Sequence, residues 1–136
     1  MANSKIEEIE GIGPAYAEKL AAAGIKDTDG LLEKCCDKKG RKATAETTGV
    51  SESQLLKWAN MADLFRIKGV GSEYAELLEC SGVDTVKELA TRNAANLAAK
   101  MAEVNEEKNL TRRVPNEAAA TDWVEQAKGL PAKITH

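Results

Sequence analysis

Backbone amides, more than side chains, are the first candidates for chemistry in this 136-residue chain. Gly11-Ile12-Gly13-Pro14 stands between the apolar pair Ile6 and Ile9 and a stretch with helical spacing, Ala17 and Leu20. Glycine frees the backbone for a tight turn and lets another molecule approach it closely. Pro14 suits the first turn of a helix, where a missing N–H costs nothing. The first amides of such a helix have no intrahelical partner, and the helix dipole adds positive potential there. A Gly-x-Gly turn before a helix is therefore a candidate anion site, suited to phosphate. The pattern recurs 58 residues on, where Leu64, Ile67, Gly69, Val70, Gly71, Ala75 and Leu78 answer Ile6, Ile9, Gly11, Ile12, Gly13, Ala17 and Leu20. Two copies with every apolar position in register mark one supersecondary unit used twice.

Other chemistries find little support. Neither turn is followed by Gly-Lys-Ser/Thr, and neither has the preceding strand and third glycine of a dinucleotide fold. Nucleotide binding of those kinds is excluded. The single histidine, His136, is terminal, no serine or cysteine has a base partner, and the carboxylates are scattered. The expectation is a non-enzyme without a small-molecule substrate or an organic cofactor. Cys35, Cys36 and Cys80 are odd in number and lack metal-ligand spacing. Cys35 and Cys36, adjacent on a helix, point to different faces. They read as small residues in a reducing cytoplasm, with a redox role for the pair as the lesser alternative. Tyr16 and Tyr74 hold equivalent places. Such a ring can stack on a base, but packing between the halves is the more ordinary role. Trp58 and Trp123 fall on amphipathic stretches and read as packing residues.

The formal net charge of −3 argues against strong nonspecific attraction to nucleic acid. The charge is uneven, however. Residues 31–68 hold eight basic and five acidic residues, and residues 69–111 hold four basic and eight acidic. Lys38, Lys39, Arg41 and Lys42 form the basic cluster of note, a phosphate-binding candidate or a solvated helix face. Arg112–Arg113 reads the same way.

The elements that position these residues are all helical. No sustained period-two run of β-branched or aromatic residues occurs. The rest of the chain falls into a repeated order of helix, Gly-x-Gly turn, helix, glycine stop, helix, helix. Ser4 can cap a short helix with Ile6 and Ile9. Further helices are predicted over 14–23, 28–36, 38–48, 53–65, 72–81, through Leu89, from Asn93 through Val104, and over 116–128. Gly24, Gly49, Gly82 and Gly129 act as stops. Gly40 weakens the helix it sits in, residues 105–113 read as a charged connection, and residues 132–136 read as a loose tail. The halves, 1–50 and 51–136, are too small to be comfortable alone and are expected to pack as one compact unit. MANSKIEEIE lacks a basic start and an apolar run, so no signal peptide is expected. No apolar run approaches membrane-spanning length. The expected location is cytoplasmic, with no membrane partner.

Ile-x-Gly-Ile-Gly-Pro followed by Ala17 and Leu20 resembles the helix-hairpin-helix motif of DNA repair and replication proteins. The stretch Gly11–Ile25 is especially similar to the hairpin of family X DNA polymerases, which also reads Gly-Ile-Gly-Pro and ends in Gly-Ile. Taken whole, the chain resembles a bacterial domain-of-unknown-function family built of tandem helix-hairpin-helix units. GIGPAYAEKL, LLKWANMADLFRIKGVGSEYAELLECSGVDTVKELA and NEAAATDWVEQAKGLP carry that likeness. The resemblance implies an all-α fold of two tandem units packed as a pseudo-twofold helical bundle.

It also implies non-sequence-specific DNA binding, with the amides around Ile12, those of Gly11, Gly13, Ala15 and Tyr16, facing phosphate and Lys19 nearby. In the second copy the amides would be those of Gly69, Gly71, Glu73 and Tyr74. A monovalent cation on the carbonyls of Glu7, Ile9 and Ile12 (in the second copy Phe65, Ile67 and Val70) is implied as well. DNA-gripping hairpins commonly carry Lys or Arg two residues after the second glycine, where this chain has Ala15 and Glu73. Glu76 and Glu79 follow in the second copy, and each carboxylate beside a phosphate is unfavourable by roughly 1 kcal/mol even at high dielectric. The second hairpin, with Gly69, Val70, Gly71 and Tyr74, therefore reads as structural. The first, of neutral approach, reads as the grip. The alternative is a protein-binding scaffold in which both hairpins are structural.

Overall fold

The computed structural model describes residues 4–135, and His136 lies outside them. The helical expectation is borne out. A 3-10 turn at Ile6–Glu8 is followed by α1 (Pro14–Ala22), α2 (Thr28–Cys35), α3 (Lys38–Thr48), α4 (Glu52–Leu64), α5 (Ser72–Cys80), α6 (Val86–Leu89), α7 (Ala94–Lys108) and α8 (Glu117–Lys128). The described residues contain no strand beyond an isolated bridge between Lys5 and Asp27.

Helix stops and starts follow local chemistry. Gly24, Gly49 and Gly82 all take positive φ, the left-handed conformation that closes a helix without a Cβ penalty. Asp37, Ser51, Thr85, Asn93 and Asn116 cap α3, α4, α6, α7 and α8 by accepting a backbone N–H with their side chains.

Packing joins α2 to α3 and α4, α1 to α3, α4 to α5, α5 to α7, and α8 to α6 and α7. Helix α4 thus lies against helices on both sides of residue 50. Leu20, Ile25, Leu31, Leu55, Phe65, Ile67, Leu77 and Leu78 are buried in one continuous core. The sequence repeat is also a repeat of hydrogen bonds. Ile12 N–H to Ile9 O and Val70 N–H to Ile67 O are both 3.1 Å. Ile25 N–H to Leu20 O and Val83 N–H to Leu78 O are both 2.9 Å.

Several expectations are corrected. The first element is a 3-10 turn preceded by Lys5, and Ser4 instead pairs with Thr28: its amide donates to Thr28 Oγ1 and its carbonyl accepts the Thr28 N–H, both at 2.9 Å. Helix α7 runs on to Lys108, into the first part of the stretch read as a connection. Asn105, buried, then brackets Thr111, donating from Nδ2 to its carbonyl (3.1 Å) and accepting its amide at Oδ1 (2.9 Å). The tail is docked: Ile134 is 7% exposed, and the Thr135 N–H donates to Cys36 O at 2.7 Å.

Candidate functional site at the two glycine turns

Gly11 and Gly69 have φ of 95° and 96°. A residue with a Cβ would be strained there. A tryptophan also covers each glycine: Trp58 Nε1 lies 3.4 Å from where a Gly11 Cβ would stand, and Trp123 Nε1 lies 3.3 Å from the Gly69 counterpart. Both tryptophans are buried and each meets the tyrosine of the same turn. Tyr16 and Trp58 have ring centroids 5.0 Å apart, and Tyr74 and Trp123 5.4 Å apart. The glycines therefore serve packing as well as any ligand.

Gly13 and Gly71, both extended, precede α1 and α5. Neither helix has a side-chain cap, whereas the other six α-helices of the described residues all do. The first bond within α1 is Ala17 N–H to Gly13 O, 2.9 Å. The amides of Ala15 and Tyr16 precede it, at the positions a helix leaves without an internal partner. The two open helix starts are the two that follow the glycine turns.

The tertiary structure then makes the two turns unlike. Gln126 of α8 grips the second, accepting the Lys68 N–H at Oε1 (2.8 Å) and donating from Nε2 to the Lys68 carbonyl (3.2 Å). Tyr74 is half-buried and its hydroxyl donates to Arg113 O at 3.1 Å. Tyr16, by contrast, is 41% exposed, with Lys19 Nζ 5.7 Å from its ring centroid. The first turn borders an open concavity of about 670 Å³ lined by Ile9, Gly11, Ile12 and Gly13, by Lys5, Glu7, Glu8 and Glu10, and by Ser72 of α5.

That concavity is more acidic than the sequence suggests. Three carboxylates face one lysine, where a neutral approach is expected from Ala15. Glu10 also stands near α5. Burial pushes the Glu76 carboxyl up from its ordinary pKa, Glu10 and Glu79 push it the same way, and Lys57 and Lys108 act against them. Glu7, Ile9 and Ile12, whose carbonyls are the candidate cation ligands, are among the residues that line the same concavity, and the Ile9 carbonyl already accepts the Ile12 N–H. Among the described residues no group of three or more His, Cys, Asp or Glu side chains is arranged to hold a metal.

The basic cluster divides. Lys38, Lys39 and Lys42 are exposed on α3, which packs against α1. Arg41 does not belong to that surface. It is 2% exposed, and its guanidinium donates to Cys35 O (2.9 Å) and Thr135 O (2.7 Å). Arg41 and Thr44 are one turn apart on the inward face of α3, a spacing that was readable in the sequence. Cys35 is fully buried, which pushes its thiol pKa up and disfavours the reactive thiolate. Gln126 and Arg113, which engage Lys68 and Tyr74 at the second turn, have no local sequence signal. Each is distant in the chain from the residue it binds.

A family model described as a domain of unknown function (DUF4332) matches residues 10–130. The chain belongs to that family. The DUF4332 match spans both glycine turns and α1 through α8. Searches of curated proteins and of solved structures each found no match. No helix of the described residues is long and apolar enough to cross a membrane.

Proposed function

We propose that the two halves are tandem helix-hairpin-helix units related by a pseudo-twofold axis, and that the first unit binds nucleic acid through its backbone without reading sequence. One observation carries this reading. Gln126 and the Arg113 carbonyl engage Lys68 and Tyr74 at the second turn, whereas no described side chain hydrogen-bonds the first, where Tyr16 stands exposed beside the uncapped α1 amides. The amides of Gly11, Gly13, Ala15 and Tyr16 would meet phosphate, with Lys19 and the α3 lysines Lys38, Lys39 and Lys42 adding positive charge. Phosphate contacts of this kind position a protein and carry no sequence information. The acidic rim works against bare phosphate and favours a bridging monovalent cation, for which Glu7, Ile9 and Ile12 offer carbonyls. Binding is therefore weak and strongly salt-dependent.

Gly13→Asp tests it. Open space surrounds the position a Gly13 Cβ would take. An aspartate there caps α1 and puts a carboxylate where the phosphate belongs. Anisotropy titration of a labelled oligonucleotide should give micromolar binding at about 50 mM salt that falls steeply by about 200 mM. Gly13→Asp should weaken it about tenfold or more, a loss of about 1.4 kcal/mol, while thermal stability holds or rises. No binding at low salt, or undiminished binding by the variant, overturns the reading.

A protein partner is the second reading, favoured by Glu7, Glu8 and Glu10 around the concavity. Those carboxylates suit a lysine-rich segment. Binding of a lysine-rich peptide, lost in Glu7→Gln/Glu10→Gln and with no oligonucleotide binding, would decide for it.

A further inference from the structure

We propose that Tyr16 is a stacking platform for an unpaired base, so that the first turn takes a single-stranded segment or a frayed end in preference to continuous duplex. This rests on the nucleic-acid reading above and specifies its substrate. Tyr16 is the one exposed large hydrophobic side chain among the described residues, at 41%. It stands in the first turn of α1, beside the uncapped amides. Its ring is braced edge-on by Trp58, with an interplanar angle of 66° and centroids 5.0 Å apart. Trp58 is itself 1% exposed, and its buried indole N–H has no hydrogen-bond partner where it packs against Gly11. A ring held this way meets a base without first losing much conformational freedom.

The duplicate supplies the control. Tyr74 also packs against Trp123, tilted at 52°, but its hydroxyl is tied to Arg113 O and its ring is half-buried. A tyrosine needed only to pack against its tryptophan could be covered in both copies. The chain half-buries one and exposes the other, in the copy whose turn no described side chain hydrogen-bonds. Lys19 Nζ lies over the Tyr16 ring at 5.7 Å from the centroid, on a flexible stem. An arriving base displaces that ammonium towards the adjoining phosphate. A duplex holds its bases inside the stack and offers the ring no free face, whereas a single strand offers one at every nucleotide.

The test compares a labelled oligothymidylate with a duplex of equal length at low salt, for the wild-type chain, Tyr16→Ala and Tyr16→Phe. The wild type should bind the single strand more tightly. Tyr16→Ala should weaken single-strand binding about tenfold and change duplex binding less than about twofold, since stacking is a per-base effect. Tyr16→Phe should keep single-strand affinity, because it keeps the ring. Equal losses on both substrates, no loss on either, or a Tyr16→Phe loss as large as that of Tyr16→Ala overturns the stacking role while leaving the backbone grip standing. Wild-type binding to neither substrate overturns both. Tyr16 is on the surface, so circular dichroism should show the variants folded.

Discussion

Gly40 shows how a residue's meaning depends on what approaches it. On propensity it weakens α3, by up to about 1 kcal/mol relative to alanine. In the fold, a Cβ at Gly40 would stand 1.9 Å from the carbonyl oxygen of Lys34, a backbone atom at the end of α2 that cannot swing aside. Overpacking of this kind costs about 1–3 kcal/mol and outweighs the helix gain. Gly40→Ala should therefore lower stability by about 1–2 kcal/mol in urea denaturation, despite the better helix former. A raised midpoint would show that α2 and α3 can separate freely. The neighbouring Arg41 teaches the same lesson in charge. Counted along the chain it joins a basic cluster, but its guanidinium is held by the Cys35 and Thr135 carbonyls.

Among the elements, α4 links the two halves of the chain, packing against α2, α3 and α5. Its end is fixed by Asp63, a carboxylate with 1% side-chain exposure. Oδ1 accepts from Arg66 Nε (2.9 Å) and lies 2.7 Å from Nη2, while Oδ2 accepts the Val86 N–H that opens α6 (2.8 Å). Arg66 also donates to Pro131 O at 2.8 Å, so the same cluster holds the chain leaving α8. Asp63→Asn keeps the shape and can keep the Val86 bond, but it leaves a largely buried guanidinium without its counter-charge. Breaking a buried pair from one side costs about 3–5 kcal/mol, and about 3 is expected here because the amide still accepts one bond. Chemical denaturation measures it; a loss under about 1 kcal/mol would show the cluster to be solvated in solution. Most helix bounds were legible because they depend on neighbours three or four residues away. Asp63 was not, because its role depends on Val86.

At the scale of the whole molecule, the two halves meet with like charges. Burial raises the pKa of Glu76 of α5, and repulsion from Glu10 of the first turn adds to the rise. The folded chain therefore holds that proton more tightly than the unfolded chain does. Between the ordinary glutamate pKa and the raised one, the folded state binds more protons, so stability falls as pH rises through that window. Glu76→Gln should stabilise the protein near pH 7, with the advantage disappearing below about pH 4, where both states of the wild type are protonated. Urea midpoints of the two proteins at both pH values check this. An advantage that persists in acid would assign the effect to packing instead.

The sequence by itself determined the helices, the glycine stops and the 58-residue repeat, because each depends on short-range backbone chemistry and on apolar periodicity. It also singled out the two glycine turns. Which turn's tyrosine is left exposed was decided only by the tertiary structure. Gln126 and Arg113 reach the second turn from residues 58 and 39 positions away in the chain, and nothing described does the same for the first. The acidic concavity is likewise a product of assembly. Glu7, Glu8 and Glu10 become its rim only when the 3-10 turn folds against the glycines and α5 closes in beside them. Local rules shape each turn, while long-range packing decides whether anything outside the chain can reach it.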